Sequence, residues 1–296
     1  MATMTGNLFR GTGPFSTALD VIEGHWPIDA DGAVFIVGPA KREPGGHWFG
    51  AHGLLLRIAC APDAHGRIRA RAARVAPPLE RLGRRWPRLF RKVAFTEVSP
   101  FGVTNMANTN VEPIDGRLFV GYDAGRPLEV DPETLDYLTP VGANDEWLQA
   151  TPALVEPLVS VAAHPAPAHD ERALYFVNYS PLPGDPRVSI ARWGLSGPVE
   201  RWPLPGVTGF DSIHDVKASD GHLVIADLPF VVEPASFTGG DRTIANQDAT
   251  RLFIVAKRDL RATPPGDAVG VIEVEIPMPT GHLMVDSDDA DGRLFF

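Results

Sequence analysis

Three of the nine histidines, His164, His214 and His282, stand seven, six and nine residues ahead of three similar segments. These are Glu171-Arg172-Ala173-Leu174-Tyr175-Phe176-Val177, Asp220-Gly221-His222-Leu223-Val224-Ile225 and Asp291-Gly292-Arg293-Leu294-Phe295-Phe296, which start 49 and 71 residues apart. A fourth copy, Asp115-Gly116-Arg117-Leu118-Phe119-Val120, has no histidine at that distance. Each copy has the form of a tight turn entering an apolar strand. If each is the turn of a hairpin, the three histidines occupy similar places on the strand before it, and radial repetition would aim them at one axis. Converging imidazoles would hold a transition metal, with iron, copper, zinc and nickel all suited to that donor. Acidic-Gly turns also recur in β proteins of other architectures, so the repeat alone leaves the arrangement open. His169 and His222 fall within or beside turns, where solvent exposure is the simpler account, and nothing distinguishes His25 or His65.

Other catalytic constellations lack their minimum parts. There is no Gly-x-Ser-x-Gly elbow, His-Glu-x-x-His pair, Walker loop or pair of cysteines. Gly11-Thr12-Gly13 neither follows a clear strand nor opens a helix, so it does not begin a dinucleotide fingerprint.

The elements that must position the histidines are short strands. Twenty-nine glycines and 29 prolines punctuate the chain into runs such as Val34-Phe35-Ile36-Val37, Val188-Ser189-Ile190-Ala191 and Leu252-Phe253-Ile254-Val255, without long helical periodicity. The expectation is an all-β protein, with a propeller competing against a sandwich or barrel. At 296 residues and 44% hydrophobic content the chain can bury a large core, and no linker divides it, so residues 1–296 are expected to form a single domain. A net charge of −10 argues against nucleic acid as a partner. The lone Cys60 cannot form an intrachain disulfide and the start lacks the apolar core of a secretory signal, so a cytoplasmic location is expected.

One segment runs against the acidic composition. Arg81, Arg84, Arg85, Arg88, Arg91 and Lys92 are interleaved with Trp86, Leu89 and Phe90. A basic, aromatic-bearing surface of this kind would rest peripherally on anionic lipid; a solvated loop, or a short helix broken before Pro87, is the competing expectation.

Several local strings, in order, resemble landmarks of the carotenoid cleavage oxygenases, the family of carotenoid and stilbene dioxygenases and of retinal pigment epithelial membrane protein. Val34-Phe35-Ile36-Val37-Gly38-Pro39 resembles the family's strand leading into Asn-Gly-Pro. His47-Trp48-Phe49-Gly50-Ala51-His52-Gly53 is similar to its Trp-Phe-Asp-Gly-Asp-Gly segment, departing at Gly50-Ala51-His52. Asn108-Thr109-Asn110, Gly125-Arg126-Pro127 and Asp131-Pro132-Glu133-Thr134-Leu135 follow in the family's order. Ala163-His164-Pro165 resembles the motif carrying the first iron ligand, and Ile213-His214-Asp215 with Asp227-Leu228-Pro229 the pair carrying the second. His282 is the candidate for the third, although Val285-Asp286-Ser287-Asp288 replaces the family's usual Asn-Ala-Tyr-Glu.

The resemblance implies a seven-bladed β-propeller holding iron(II) through four histidines, several oriented by glutamates. It covers almost all of this sequence but only part of a family member, so the propeller is expected to be incomplete at the C-terminal end and to lack the fourth ligand. A position that in the family holds an orienting glutamate falls near Asp123, a carboxylate one methylene shorter. The implied activity is oxidative cleavage of a conjugated C=C bond by dioxygen, in a carotenoid, apocarotenoid or stilbene-like substrate, giving two carbonyl products. The alternatives are an inactive fragment or pseudoenzyme of that family, and a calcium-dependent or purely binding propeller, which would need an oxygen-rich centre.

Overall fold

Three of the apolar runs that follow the turns, Leu118 to Val120, Leu174 to Val177 and Leu223 to Ile225, become strands buried on both faces. A computed structural model describes residues 14–27, 29–40, 50–93, 95–149, 156–180, 182, 184–208, 212–228, 230–232, 244–246, 248–288 and 293–295. His47, Trp48 and Phe49, the turn Asp291-Gly292, and Gly11 to Gly13 lie outside them.

The first antiparallel sheet contains β1 (Phe15–Leu19), β2 (Ala33–Pro39), β3 (Gly53–Ala59) and β4 (Ile68–Arg74), in the order β1-β4-β3-β2. Helix α1 (Pro78–Arg85) follows, then a single 3-10 turn (Pro87–Leu89) and the three-stranded sheet β5 (Arg91–Val93), β6 (Thr96–Ser99) and β7 (Gly102–Thr104). The second four-stranded sheet is a meander of β8 (Asn110–Ile114), β9 (Arg117–Gly121), β10 (Leu128–Val130) and β11 (Tyr137–Pro140). The third repeats that form with β12 (Ala166–Ala168), β13 (Ala173–Tyr179), β14 (Val188–Trp193) and β15 (Glu200–Pro203).

In the fourth sheet, β16 (Ile213–Ala218) and β17 (His222–Asp227) are followed by a hairpin of β18 (Phe230–Val232) and β19 (Ile244–Asn246). The sheet then resumes with β20 (Thr250–Ala256), α2 (Lys257–Ala262) and β21 (Ile272–Ile276), in the order β16-β17-β20-β21. A last hairpin pairs β22 (Asp286–Asp288) with β23 (Arg293–Phe295).

Alternation along the second strand of each sheet explains how the sheets stack. On β9, Leu118 and Val120 face the first sheet, packing with Leu55 and Phe35, while Phe119 faces the third, packing with Leu174 and Phe176. On β13, Tyr175 and Val177 turn the other way, towards Leu223, Ile225 and Phe253 of the fourth sheet. On β17, Val224 and Ala226 in turn meet Leu283, with Val285 and Leu294 beside it. Successive side chains of a strand point to opposite faces, so a strand covered on both sides needs an unbroken apolar run. Burying each such leucine or phenylalanine contributes about 2–3 kcal/mol before entropy is counted.

The first strands of neighbouring sheets meet at the centre. β2 lies against β8, and β12 against β16. His164 forms a parallel bridge with Asp215: the His164 N–H donates to the His214 carbonyl (3.3 Å), and the Val216 N–H donates to the His164 carbonyl (3.2 Å). Antiparallel sheets stacked radially around a shared set of first strands have the arrangement of a propeller. The turn between β8 and β9 uses Asp115 and Gly116 at φ 51° and 73°, the left-handed pair that the Asp-Gly dipeptide favours in a two-residue hairpin.

Candidate metal centre

His164 ends the stretch Val161 to Ala163, which is tied to β13 by Ala162 N–H donating to the Val177 carbonyl at 2.8 Å. Gly121, at the end of β9, lets this stretch approach closely: a Cβ there would sit 2.1 Å from the Ala163 carbonyl oxygen.

His214 owes its direction to a β-bulge. Ile213 pairs with Asp227 and Asp215 with Ala226, so His214 is an extra residue on β16 without a counterpart on β17. An inserted residue reverses the phase of the strand and re-aims a side chain. Accordingly Ile213 and Val216, three residues apart, share the face towards the third sheet, while Asp215 shares the opposite face with Ala226.

His282 lies between β21 and β22 on a connection held by buried Leu283 and by the Thr280 N–H, which donates to Thr250 Oγ1 at 3.0 Å.

These three elements bring the imidazoles together. One ligand atom from each of His164, His214 and His282 lies within 4.8 Å of the others. The ring centroids are 4.8 Å apart for His164 and His214, 4.7 Å for His164 and His282, and 5.5 Å for His214 and His282. Among the described residues the cluster numbers three.

Carboxylates surround it. Asp123 accepts at 2.9 and 3.1 Å from Nδ1 of His214 and also accepts the Ala163 N–H at 3.2 Å, bridging the second and third sheets to the bulge. An acceptor-only carboxylate at Nδ1 places the ring proton there and leaves Nε2 as a lone-pair donor. Asp215, with no exposed surface, lies 3.4 Å from Nδ1 of His282 and accepts the Leu283 N–H at 3.2 Å. Lys217 Nζ is 2.7 Å from its other oxygen.

Two of the rings are shifted in opposite directions. Burial pushes the His164 imidazole down to about 3, and the neighbouring imidazole of His214 adds to the effect. Burial acts in the same direction on His214, but the Asp123 carboxylate outweighs it and holds that ring above the ordinary histidine value. Three converging imidazole nitrogens fit a metal that prefers nitrogen, and they do not fit calcium, which takes an oxygen shell.

Asp215 and Lys217 were not singled out from the sequence. Asp215 is adjacent to a candidate ligand, but its reach towards His282 follows from the bulge, which has no signature in residue type. His52 lies elsewhere, 3.4 Å from Glu97.

The family follows from comparison with known proteins. The family model of retinal pigment epithelial membrane protein matches residues 10–284, and the chain belongs to this carotenoid cleavage oxygenase family. Among solved structures, the lignostilbene dioxygenase of Pseudomonas brassicacearum superposes with a TM-score of 0.67 at 19% identity, over 92% of this chain and 55% of that one. An apocarotenoid oxygenase of Synechocystis carrying a Glu-to-Asp substitution gives 0.66 at 15% identity, over 96% and 60%. The cobalt-substituted form of the Synechocystis enzyme gives 0.61 at 16% identity, over 92% and 59%. The chain thus spans less than two thirds of the length of these relatives, and the likeness extends to an all-β fold of stacked antiparallel sheets. No curated protein matches the chain significantly.

Proposed function

We propose that this chain carries the iron(II) centre of a non-haem dioxygenase that cleaves a conjugated C=C bond of a carotenoid, apocarotenoid or stilbene-like substrate to two carbonyl products. The observation that carries the reading is the convergence of His164, ahead of β12, His214, on β16, and His282, between β21 and β22, with carboxylates at two of their Nδ1 atoms. The solved relatives include a lignostilbene dioxygenase and an apocarotenoid oxygenase, which supports an apolar conjugated substrate and dioxygen as co-substrate.

In this reading His164, His214 and His282 hold the metal through neutral nitrogens. Iron(II) held there by uncharged residues would supply the dioxygen chemistry. Asp123 holds the Nδ1 proton of His214 and so fixes which nitrogen faces the ion, an arrangement that raises ligand basicity. The apolar packing between sheets orders the three elements relative to one another.

The complete assembly would be a seven-bladed propeller whose remaining sheets supply a fourth histidine. Exposed apolar residues on the first sheet favour this: Val34 and Ile36 are 48% and 47% exposed. The alternative, an inactive fragment or pseudoenzyme, rests on the same exposed residues. We also assign peripheral lipid contact to Arg81, Arg84, Arg85, Trp86, Arg88, Leu89, Arg91 and Lys92, which are all exposed. Phe90, in the same basic segment, is half-buried against Gly83 and is not part of that surface.

The test is elemental analysis after anaerobic iron(II) loading. The wild-type chain is expected to retain near-stoichiometric iron and the His164→Ala and His214→Ala variants to lose it. Full occupancy in both variants would refute the ligand assignment. Iron retention without turnover of stilbenes or apocarotenoids would favour the pseudoenzyme.

A further inference from the structure

The third imidazole is the least constrained of the three. His282 has 59% of its side chain exposed, so packing alone does not set its orientation, whereas His214 is 16% exposed and clamped by Asp123. Nδ1 of the His282 ring faces Asp215, a carboxylate with no exposed surface.

Burying an ionised carboxylate is costly unless it is paired and hydrogen-bonded. Asp215 meets that condition through three groups: Lys217 Nζ at 2.7 Å on Oδ1, and on Oδ2 the Leu283 N–H at 3.2 Å and His282 Nδ1 at 3.4 Å. The geometry has a backbone cause. The bulge at His214 places Asp215 on the same face of the fourth sheet as Ala226, and Lys217 on that face with its partner Val224. This is the face covered by Leu283. One insertion thus sends adjacent residues to separate tasks, His214 to the hub and Asp215 to the segment bearing the next histidine.

We propose that Asp215 is a positioning residue for His282: it docks the connection through the Leu283 N–H and holds the imidazole proton on Nδ1, which leaves Nε2 as the donor. Lys217 pairs with the other carboxylate oxygen at 2.7 Å and holds the carboxylate in place. The proposal rests on the metal-centre reading for its purpose, but the tautomer it requires exists without metal.

The test therefore begins on the metal-free 296-residue chain, with long-range proton–nitrogen NMR correlations of the histidine rings and His282→Gln for assignment. His282 is expected to carry its proton on Nδ1. In Asp215→Asn the proton is expected to move to Nε2, the tautomer that histidine favours in water, and Asp215→Glu is expected to restore Nδ1. An Nε2 proton in the wild type, or an Nδ1 proton that survives in Asp215→Asn, overturns the proposal. Cobalt(II) titration then reads the consequence. Asp215→Asn should bind about 10–100-fold more weakly, with a changed ligand-field spectrum, as expected when the partner orienting a ligand is lost. A wild-type chain that binds no cobalt refutes the metal reading, while the tautomer still decides the role of Asp215. If Asp215→Asn does not fold, the wild-type tautomer and the Asp215→Glu spectrum decide it.

Discussion

Glu112, on the hub-side strand β8, illustrates how the centre of the stack treats charge. Burial raises its pKa to about 7, against the pull of Lys217 and a hydrogen bond from Asn110. In the unfolded chain the group titrates at about 4.3. Between these values the folded chain keeps a proton that the unfolded chain has lost, so the contribution of Glu112 to stability falls as pH rises from about 4 to 7 and levels off above that. Glu112→Gln should therefore gain on the wild type progressively across that window, reaching about 1–3 kcal/mol by pH 8 once partial exposure is allowed for. Urea unfolding at several pH values measures the gap, and one that stays constant with pH would show that Glu112 is not the group responsible. The histidines of the centre were legible in the sequence because their distances from turn segments are a one-dimensional signal. Asp123 was legible only through family resemblance. Asp215 was not, since nothing in its neighbours' types marks His214 as the inserted residue.

At the scale of elements, the continuous apolar runs Leu118-Phe119-Val120, Leu174-Tyr175-Phe176-Val177 and Leu223-Val224-Ile225-Ala226 were the most legible part of the fold. A strand with both faces buried has no polar positions to interrupt it, and each of these became the second strand of a sheet. Which sheet packs on which was not legible in composition, because the same residue types serve either face. Close approaches of backbone are similarly silent until the partner is known. At Gly121 an added Cβ would lie 2.1 Å from the Ala163 carbonyl, so the end of β9 and the His164 segment would have to separate. Asp123 follows two residues later and bonds both Ala163 and His214, so the displacement would reach the centre. Gly121→Ala is expected to cost about 1–3 kcal/mol of stability by overpacking and also to weaken cobalt(II) binding, whereas a core truncation distant from the hub, such as Leu56→Ala, should cost stability alone. Equal metal affinity in the two variants at matched stability would contradict this coupling.

At the scale of the molecule, charge is distributed so that an acidic protein presents one basic face. Helix α1 forms where Pro78 can occupy its first turn, with Glu80 near its positive end and Arg84 and Arg85 in its last turn, a pattern that complements the helix dipole. Glu80 is buried; it lies 3.1 Å from Arg84 of the same helix and 3.9 Å from Arg74 of β4, which ties the helix to the first sheet. Trp86 and Leu89 are 54% and 44% exposed beside them, and Phe101, in the turn between β6 and β7, is 39% exposed. No described helix is long and apolar enough to cross a membrane, so lipid contact through this surface would be interfacial. Each cation near an anionic bilayer contributes about 1 kcal/mol, and the attraction falls off within a Debye length of about 8 Å at physiological salt. Six such residues against a net charge of −10 require orientation, with the basic face towards lipid and the acidic remainder away from it. The chain is expected to sediment with phosphatidylserine-containing vesicles at low salt, less so as salt rises, and weakly with phosphatidylcholine alone. Replacing Arg84, Arg85 and Arg88 by Glu should abolish the anionic preference, while Trp86→Ala with Leu89→Ala should weaken binding to both vesicle types. If the wild type stays in the supernatant with every vesicle, the basic face is a solvated surface.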